Sequence, residues 1–330
     1  MTFTYNDVYI KDTATVAGPY EKKGPLKKYF DKTFDNLYYN ETSWEKAEVK
    51  TVKESLKLLH KKVGMKKKEV DVILGGDLQN QIAATTYGAY DFSKCFLGLY
   101  TACSTSIEGM ILGSVLIDSK KVKNAIVTVS SHNMSAEKQF RNPTEYGAPK
   151  PKSATFTATG SASVLLTKEK TDIKVESSTI GKIIDLNQND PNDMGKVMAP
   201  AAIDTIKKHL KDLNRTPDYY DLIVTGDLGL YGKEILKDYM LEEYDIELKD
   251  NYNDCGVMLY NLKEQKECLA GGSGPVCSAL VSFGYIYHEM QKKKLKKVLI
   301  VATGALFSPT MVYQKENIYS IANAISLEVV

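Results

Sequence analysis

Arginine, histidine and tryptophan are scarce: two arginines (Arg141 and Arg215), four histidines and one tryptophan in 330 residues. Nearly all positive charge is therefore lysine, and 43 Lys+Arg against 41 Asp+Glu leave a formal net charge of +2. That balance argues against a nucleic-acid binder, which carries a basic stripe. Lysines gather at 66–68 and 292–297, but each group adjoins an expected strand and reads as a solvated loop or helix end. No apolar run approaches the ~20 residues that span a bilayer, and the first residues lack the basic and apolar regions of a signal peptide. Five cysteines at irregular spacing suggest free thiols in a reducing compartment. A linker rich in Pro, Gly or Ser is also missing, which argues against independent domains. The expectation is a soluble, intracellular protein.

What the chain does have is an ordinary globular composition, 43% hydrophobic and 25% charged, and enough length to bury about three quarters of its unfolded surface. From Thr42 the pattern turns helical. Thr42 and Glu45 have capping-box spacing, and Val49, Val52, Leu56, Leu59 and Val63 follow at intervals of three or four, with Gly64 as the stop. A short apolar run, Val70 to Gly76, reads as a buried strand; Ser104 to Ile117 reads as a helix and Ala125 to Val129 as a second buried strand. Strand, helix and strand in that order imply a parallel βαβ unit.

The second half repeats the first. Asp71-Val-Ile-Leu-Gly-Gly-Asp-Leu78 matches Asp221-Leu-Ile-Val-Thr-Gly-Asp-Leu228 at an offset of 150. Cys103-Ser, a helix, lysines and Ala125-Ile-Val-Thr-Val match Cys277-Ser, a helix, lysines and Leu299-Ile-Val-Ala-Thr at an offset of 174. Two pairs in the same order indicate an internal duplication, with halves 1–170 and 171–330 packed as one globule.

The sharpest local feature is Leu99-Tyr-Thr-Ala-Cys-Ser-Thr-Ser-Ile-Glu-Gly109. A cysteine between an apolar segment and a helix start faces unpaired N–H groups and the positive helix end, which favours thiolate or a bound anion. A small buried hydrophobe is the commoner role of a free cysteine. The Ala-Cys-Ser-Thr-Ser turn, the duplicated halves, Gly271-Gly-Ser-Gly-Pro and Val129-Ser-Ser-His-Asn-Met-Ser135 together resemble the thiolase superfamily of thiolases and β-ketoacyl-ACP synthases. The resemblance implies an α/β fold of five layers, α-β-α-β-α. In those enzymes the cysteine attacks an acyl thioester while two His, or His and Asn, from the second half act as base and oxyanion donors. Here the corresponding positions are Gly226-Asp227 and Gly272-Ser273. His60, His209 and His288 lie in helical patterns and read as surface or packing residues. Only His132 sits in a strand-end loop, and it comes from the wrong half. Claisen condensation and thiolysis are not expected; an acyltransferase or thiolase using Cys103 with His132 is the alternative.

Phe140-Arg-Asn-Pro-Thr-Glu-Tyr-Gly147, Asp254-Cys-Gly-Val-Met-Leu-Tyr260 and Ala270-Gly-Gly-Ser-Gly274 resemble a sporulation branch of that superfamily, found in endospore-forming bacteria. This resemblance implies a non-enzymatic protein that binds dipicolinic acid (pyridine-2,6-dicarboxylic acid), free or as its calcium chelate, during uptake into the developing spore. It also implies work beside membrane proteins of the same uptake system, on the cytoplasmic side of the spore inner membrane. A homodimer is left open by the superfamily's habit of pairing. The ligand-binding set expected is Cys103, Ser104, His132, Asn133, Arg141, Tyr146, Asp227 and Ser273, with no cofactor and no dedicated metal site. Helix-end N–H groups beside Cys103 suit one carboxylate. Arg141 suits the other through a bidentate pair that lysine cannot reproduce, with a surface ion pair to Glu145 as the competing role. Tyr146 is a candidate lid over a flat ring. His132 and Asn133 offer hydrogen bonds, although His132 could tie down its own loop. Asp77 and Asp227 could touch calcium, but capping the following loops is the expected role of both. Cys255 and Cys277 are expected to be structural.

Overall fold

The structure, a computed structural model, describes residues 1–140 and 150–330. Ten strands form the framework: β1 (Tyr9–Ala17), β2 (Val72–Gly76), β3 (Cys95–Gly98), β4 (Asn124–Ser131), β5 (Gly160–Thr167), β6 (Ile173–Thr179), β7 (Leu222–Thr225), β8 (Tyr252–Asp254), β9 (Lys297–Leu306) and β10 (Tyr319–Val329). They hydrogen-bond in the order β8-β7-β9-β10-β6-β1-β5-β4-β2-β3. Each half shows the same pattern. β3, β2 and β4 are parallel, then β5 and β1 are antiparallel. In the second half β8, β7 and β9 are parallel, then β10 and β6 are antiparallel. The two sheets meet where Tyr9 pairs with Lys174, and the N-terminal Thr2–Thr4 extends the junction by running antiparallel to Ser177–Thr179 of β6.

Alternate residues of the parallel strands point to opposite layers, so these strands are apolar almost throughout. Val72 and Leu74 of β2 and Val127 of β4 face a central core shared with Val224, Val298 and Ile300 of the other sheet. Ile73 and Ile126 face outward onto α1 (Trp44–Val63) and α2 (Ala83–Ala89). Ile223, Leu299 and Val301 face outward onto α5 (Met194–Asp212) and α6 (Gly229–Tyr244). Between the sheets lie α3 (Thr105–Asp118) and α8 (Pro275–Leu280), the latter running on through a π-helical stretch to Gln291. Ser106 of α3 and Ser278 of α8 hydrogen-bond at 3.1 Å. Helices, sheet, helices, sheet, helices: the five expected layers are present.

Local signals account for the elements, with small corrections. The cap of α1 is Ser43, whose Oγ accepts from the Lys46 N–H, one residue after the Thr42 of the sequence reading; Gly64 ends the helix in the left-handed region at φ 65°. The duplicated aspartates Asp71 and Asp221 do the same work. Asp71 accepts from the N–H groups of Lys123 and Asn124, and Asp221 from those of Lys296 and Lys297. Each thereby locks the start of one strand to its neighbour.

Candidate functional site

The parallel strands of both sheets end at a cleft of about 630 Å³, part of it open to solvent. Its floor is Cys103, Asp227, Ser273 and Gly274. Cys103 stands on a tight turn: Ala102 adopts φ 51°, a conformation that costs a non-glycine residue about 1–2 kcal/mol, and a 3-10 turn (Ala102–Ser104) leads into α3. The turn is clamped from inside. Thr105 Oγ1 donates to the Ala102 carbonyl and accepts from the Thr101 N–H. Ser104 Oγ donates to the Ala302 carbonyl at 2.9 Å and accepts from Asn323 Nδ2 at 3.2 Å. Gly304 is required here, because a Cβ would lie 2.3 Å from the Thr101 carbonyl oxygen.

Asp227, directly after β7, is buried beside the cysteine and accepts the Cys103 thiol proton in a hydrogen bond. Its other partners come from two further segments. Thr303 Oγ1 donates to Oδ1 at 2.7 Å, and the Gly274 N–H donates to Oδ2 at 3.2 Å. Burial dominates its titration and raises the carboxyl from 3.8 to about 7; the thiol and Thr303 pull against that. Burial first, and the Asp227 charge second, push the Cys103 thiol well above its ordinary value. The helix-end field expected to favour thiolate is thus overridden. Burial and the neighbouring carboxyl together hold the proton on sulfur.

No histidine is among the described residues that line the cleft. His132 is buried, with Nε2 donating to the Leu37 carbonyl at 2.8 Å and Nδ1 accepting from the Met134 N–H at 3.2 Å. Burial lowers its pKa to about 4, so it is a neutral loop tie. His209 is likewise buried, between Thr179 Oγ1 and Tyr220 OH at 2.8 Å each, with its pKa lowered to about 4 by burial. His60 packs edge-on to Phe92, and His288 Nδ1 donates to the Gly284 carbonyl.

The expected binding residues therefore separate. Cys103, Asp227 and Ser273 converge on the floor. Ser104, His132 and Asn133 are buried away from the lining, each engaged in holding its own segment; the Asn133 N–H, for instance, donates to Thr159 Oγ1. Arg141 and Tyr146 lie outside the described residues. Asp77 caps its loop as expected, accepting from the N–H groups of Gln79 and Thr85. Asp227 does not cap the loop after it. That task falls to Asp254, which accepts from the N–H groups of Leu228 and Gly229 and from that of Val257 in the short helix α7 (Cys255–Leu259). Cys255 and Cys277 are buried in the central core, as structural cysteines are. Among the described residues no cluster of His, Cys, Asp or Glu is arranged to hold a metal ion, and no helix is long and apolar enough to cross a membrane.

The walls were not foreseen. Leu78, Tyr100, Met194, Met198, Phe140 and Phe307 make them apolar, and the Phe140 and Phe307 rings pack at 5.5 Å with 35° between planes. Phe140 ends α4 (Asn133–Phe140). The spacing of Met194 and Met198, one turn apart on α5, was a visible sign that both share a helix face. Thr303 was visible only as a polar residue near the end of a repeated strand. Among the described lining residues the only charged ones are Glu137, paired with Lys150 at 2.9 Å, and Asp227.

Comparison with known proteins fits this geometry. The family model described as "Stage V sporulation protein AD (SpoVAD)" matches residues 1–328. The stage V sporulation protein AD of Bacillus subtilis (strain 168) is 46% identical over 322 residues, 97% of this chain and 94% of that one. Among solved structures, 3-oxoacyl-[acyl-carrier-protein] synthase III from Aquifex aeolicus VF5 superposes with a TM-score of 0.59 at 12% identity, covering 97% of this chain and 99% of that one. OleA of Xanthomonas campestris superposes with a TM-score of 0.62 at 10% identity, covering 99% of each. The latter two share the fold.

Proposed function

The chain belongs to the stage V sporulation protein AD family, and from that membership we propose that it is a non-enzymatic binder of dipicolinic acid, serving its uptake into the developing spore. The observation that carries this reading is the floor of the cleft: Cys103 hydrogen-bonded to a buried carboxyl, with every histidine elsewhere. Acyl transfer through that sulfur would need a thiolate and a proton acceptor near neutrality. Asp227 opposes the first by its charge. The superfamily's fold is kept while its thiolate is disfavoured, which suits a site used for holding.

The walls suit a flat aromatic ligand. Phe140, Phe307, Tyr100 and the two methionines form an apolar slot above a polar floor. Charge decides the form in which the ligand would arrive. A free dianion gains nothing from Glu137 or Asp227, so its carboxylates must be met by Arg141, beside Phe140 in the chain, or by calcium that travels with it. Titration calorimetry with dipicolinic acid, with and without equimolar calcium, tests the reading. Binding that disappears in Phe307→Ser supports it. Absence of heat up to millimolar ligand in both forms would overturn it.

The same reading has the protein work at the cytoplasmic face of the spore inner membrane beside membrane partners, and associate with itself. Self-association is supported by β3, an edge strand with no further partner strand among the described residues, whose Leu97 is 45% exposed.

A further inference from the structure

The two outer helical layers differ in what they show to solvent. On α1 no apolar residue is exposed, and the exposed positions are all lysine: Lys46, Lys57, Lys61 and Lys62. On α6 the buried positions are Gly229, Gly232, Leu236 and Met240, while Tyr231, Ile235 and Tyr239, at successive intervals of four, are 45%, 41% and 45% exposed. That spacing draws one apolar stripe along the helix. Ile235 and Tyr239 of the stripe line a groove of about 870 Å³ against α5, whose Pro200 and Ile203 are apolar lining and whose Lys196 and Asp204 add charges of opposite sign. An apolar helix stripe beside an apolar groove is the form that receives an amphipathic helix.

Charge selects the occupant. Residues 234–250 hold seven acidic side chains (Glu234, Asp238, Glu242, Glu243, Asp245, Glu247, Asp250) against Lys237 and Lys249, in a chain whose net charge is +2. All nine are exposed. By helical spacing Asp238 and Glu242 flank the stripe, three residues after Ile235 and Tyr239 respectively. An anionic bilayer would be repelled by such a rim, whereas lysine and arginine are enriched in the cytoplasmic segments of membrane proteins.

We propose that the α6 stripe and its groove are a docking surface for a basic amphipathic helix of a partner protein, such as a juxtamembrane segment. The assignment of a membrane partner rests on the uptake reading above; the surface and its preferred chemistry rest on α6. The test uses the full chain and a fluorescein-labelled 18-residue peptide of leucine and lysine with one apolar face, alongside a leucine–glutamate peptide of the same pattern. Anisotropy should show the lysine peptide binding at least tenfold tighter than its glutamate counterpart. Ile235→Ser/Tyr239→Ser should weaken it at least tenfold, and Asp238→Lys/Glu242→Lys should reverse the preference. Hydrogen exchange should slow within 229–250 on binding. Circular dichroism shows that the variants, all at exposed positions, stay folded. Equal binding by the stripe variant, protection elsewhere, or binding of the protein to phosphatidylglycerol vesicles through this face overturns the proposal. Dipicolinate calorimetry on the stripe variant keeps the two readings apart, since its cleft is untouched. Peptide binding without dipicolinate binding would leave the docking surface standing and remove the uptake reading; the reverse would do the opposite.

Discussion

Replacing Asp227 by asparagine separates the charge of the cleft floor from its shape. In the wild type this carboxyl titrates at about 7 instead of 3.8. Between those values the unfolded chain releases its proton while the folded chain keeps it, so the folded state loses stability as pH rises. The difference saturates above pH 7. From pH 5 to pH 8 the loss amounts to about 2–3 kcal/mol. Asparagine carries no such term, but it offers one acceptor oxygen to three donors: the Cys103 thiol, the Thr303 hydroxyl and the Gly274 N–H. The unmet donor costs about 1–3 kcal/mol at every pH. The expected result is an Asp227→Asn protein less stable than wild type at pH 5, with the gap closing or reversing by pH 8. Urea unfolding at the two pH values measures this, and the variant comparison cancels the slopes of the other carboxyls that burial raises, Asp254 to about 6, Glu21 to about 7 and Glu48 to about 8. A second readout is independent of stability: without the neighbouring charge, Cys103 should react several-fold faster with iodoacetamide at pH 8, though burial still holds the thiol up. Parallel pH–stability curves together with unchanged alkylation would refute the account of the floor.

The remaining expectations concern the frame. His209 is held neutral with a folded pKa of about 4 against 6.5 unfolded, so it contributes stability above pH 6.5 that is lost as pH falls toward 4, by up to about 3 kcal/mol; His209→Gln should flatten that part of the acid limb in a pH series of melting temperatures. Gly304→Ala drives a Cβ to within 2.3 Å of the Thr101 carbonyl and should cost about 2 kcal/mol or more in urea unfolding, with Cys103 exposed to thiol reagents as the turn shifts. Leu97→Lys places a charge on the open edge strand and should yield monomer by sedimentation if pairing runs through β3; an unchanged distribution would locate self-association elsewhere.

What could be read from the sequence followed locality. Buried parallel strands show as unbroken apolar runs, so β2, β4, β7 and β9 were visible, and the repeat of Asp71 as Asp221 carried a real structural role with it. Edges were less legible: β3 is only four residues long, Cys95 to Gly98, and exposes three of them, so its short apolar run carries no strand periodicity. The floor of the cleft was half legible. Cys103 and Asp227 could be named because each ends a recognisable segment, yet the outcome of their meeting depends on a distance between positions 124 residues apart. His132 was misplaced for a related reason. A histidine at a strand end looks available until the Leu37 carbonyl, 95 residues earlier, accepts its Nε2–H. The apolar walls come from two helices and three loops, and apart from the one-turn spacing of Met194 and Met198 nothing along the chain marked them.

The shared central layer has a consequence for how the protein comes to exist. β1 cannot complete its pairing until β5, some 150 residues later, is present, and its Thr13 then donates to the Phe283 carbonyl of the second-half helix segment at 2.7 Å. Residues Thr2–Thr4 wait still longer, for Ser177 to Thr179. During synthesis the first sheet therefore emerges with one apolar face that only the last third of the chain can cover. Such chains fold late and pass through a sticky interval on the ribosome. Residues 1–170 made alone should be insoluble, and a translational pause before α8 should lower the yield of soluble product.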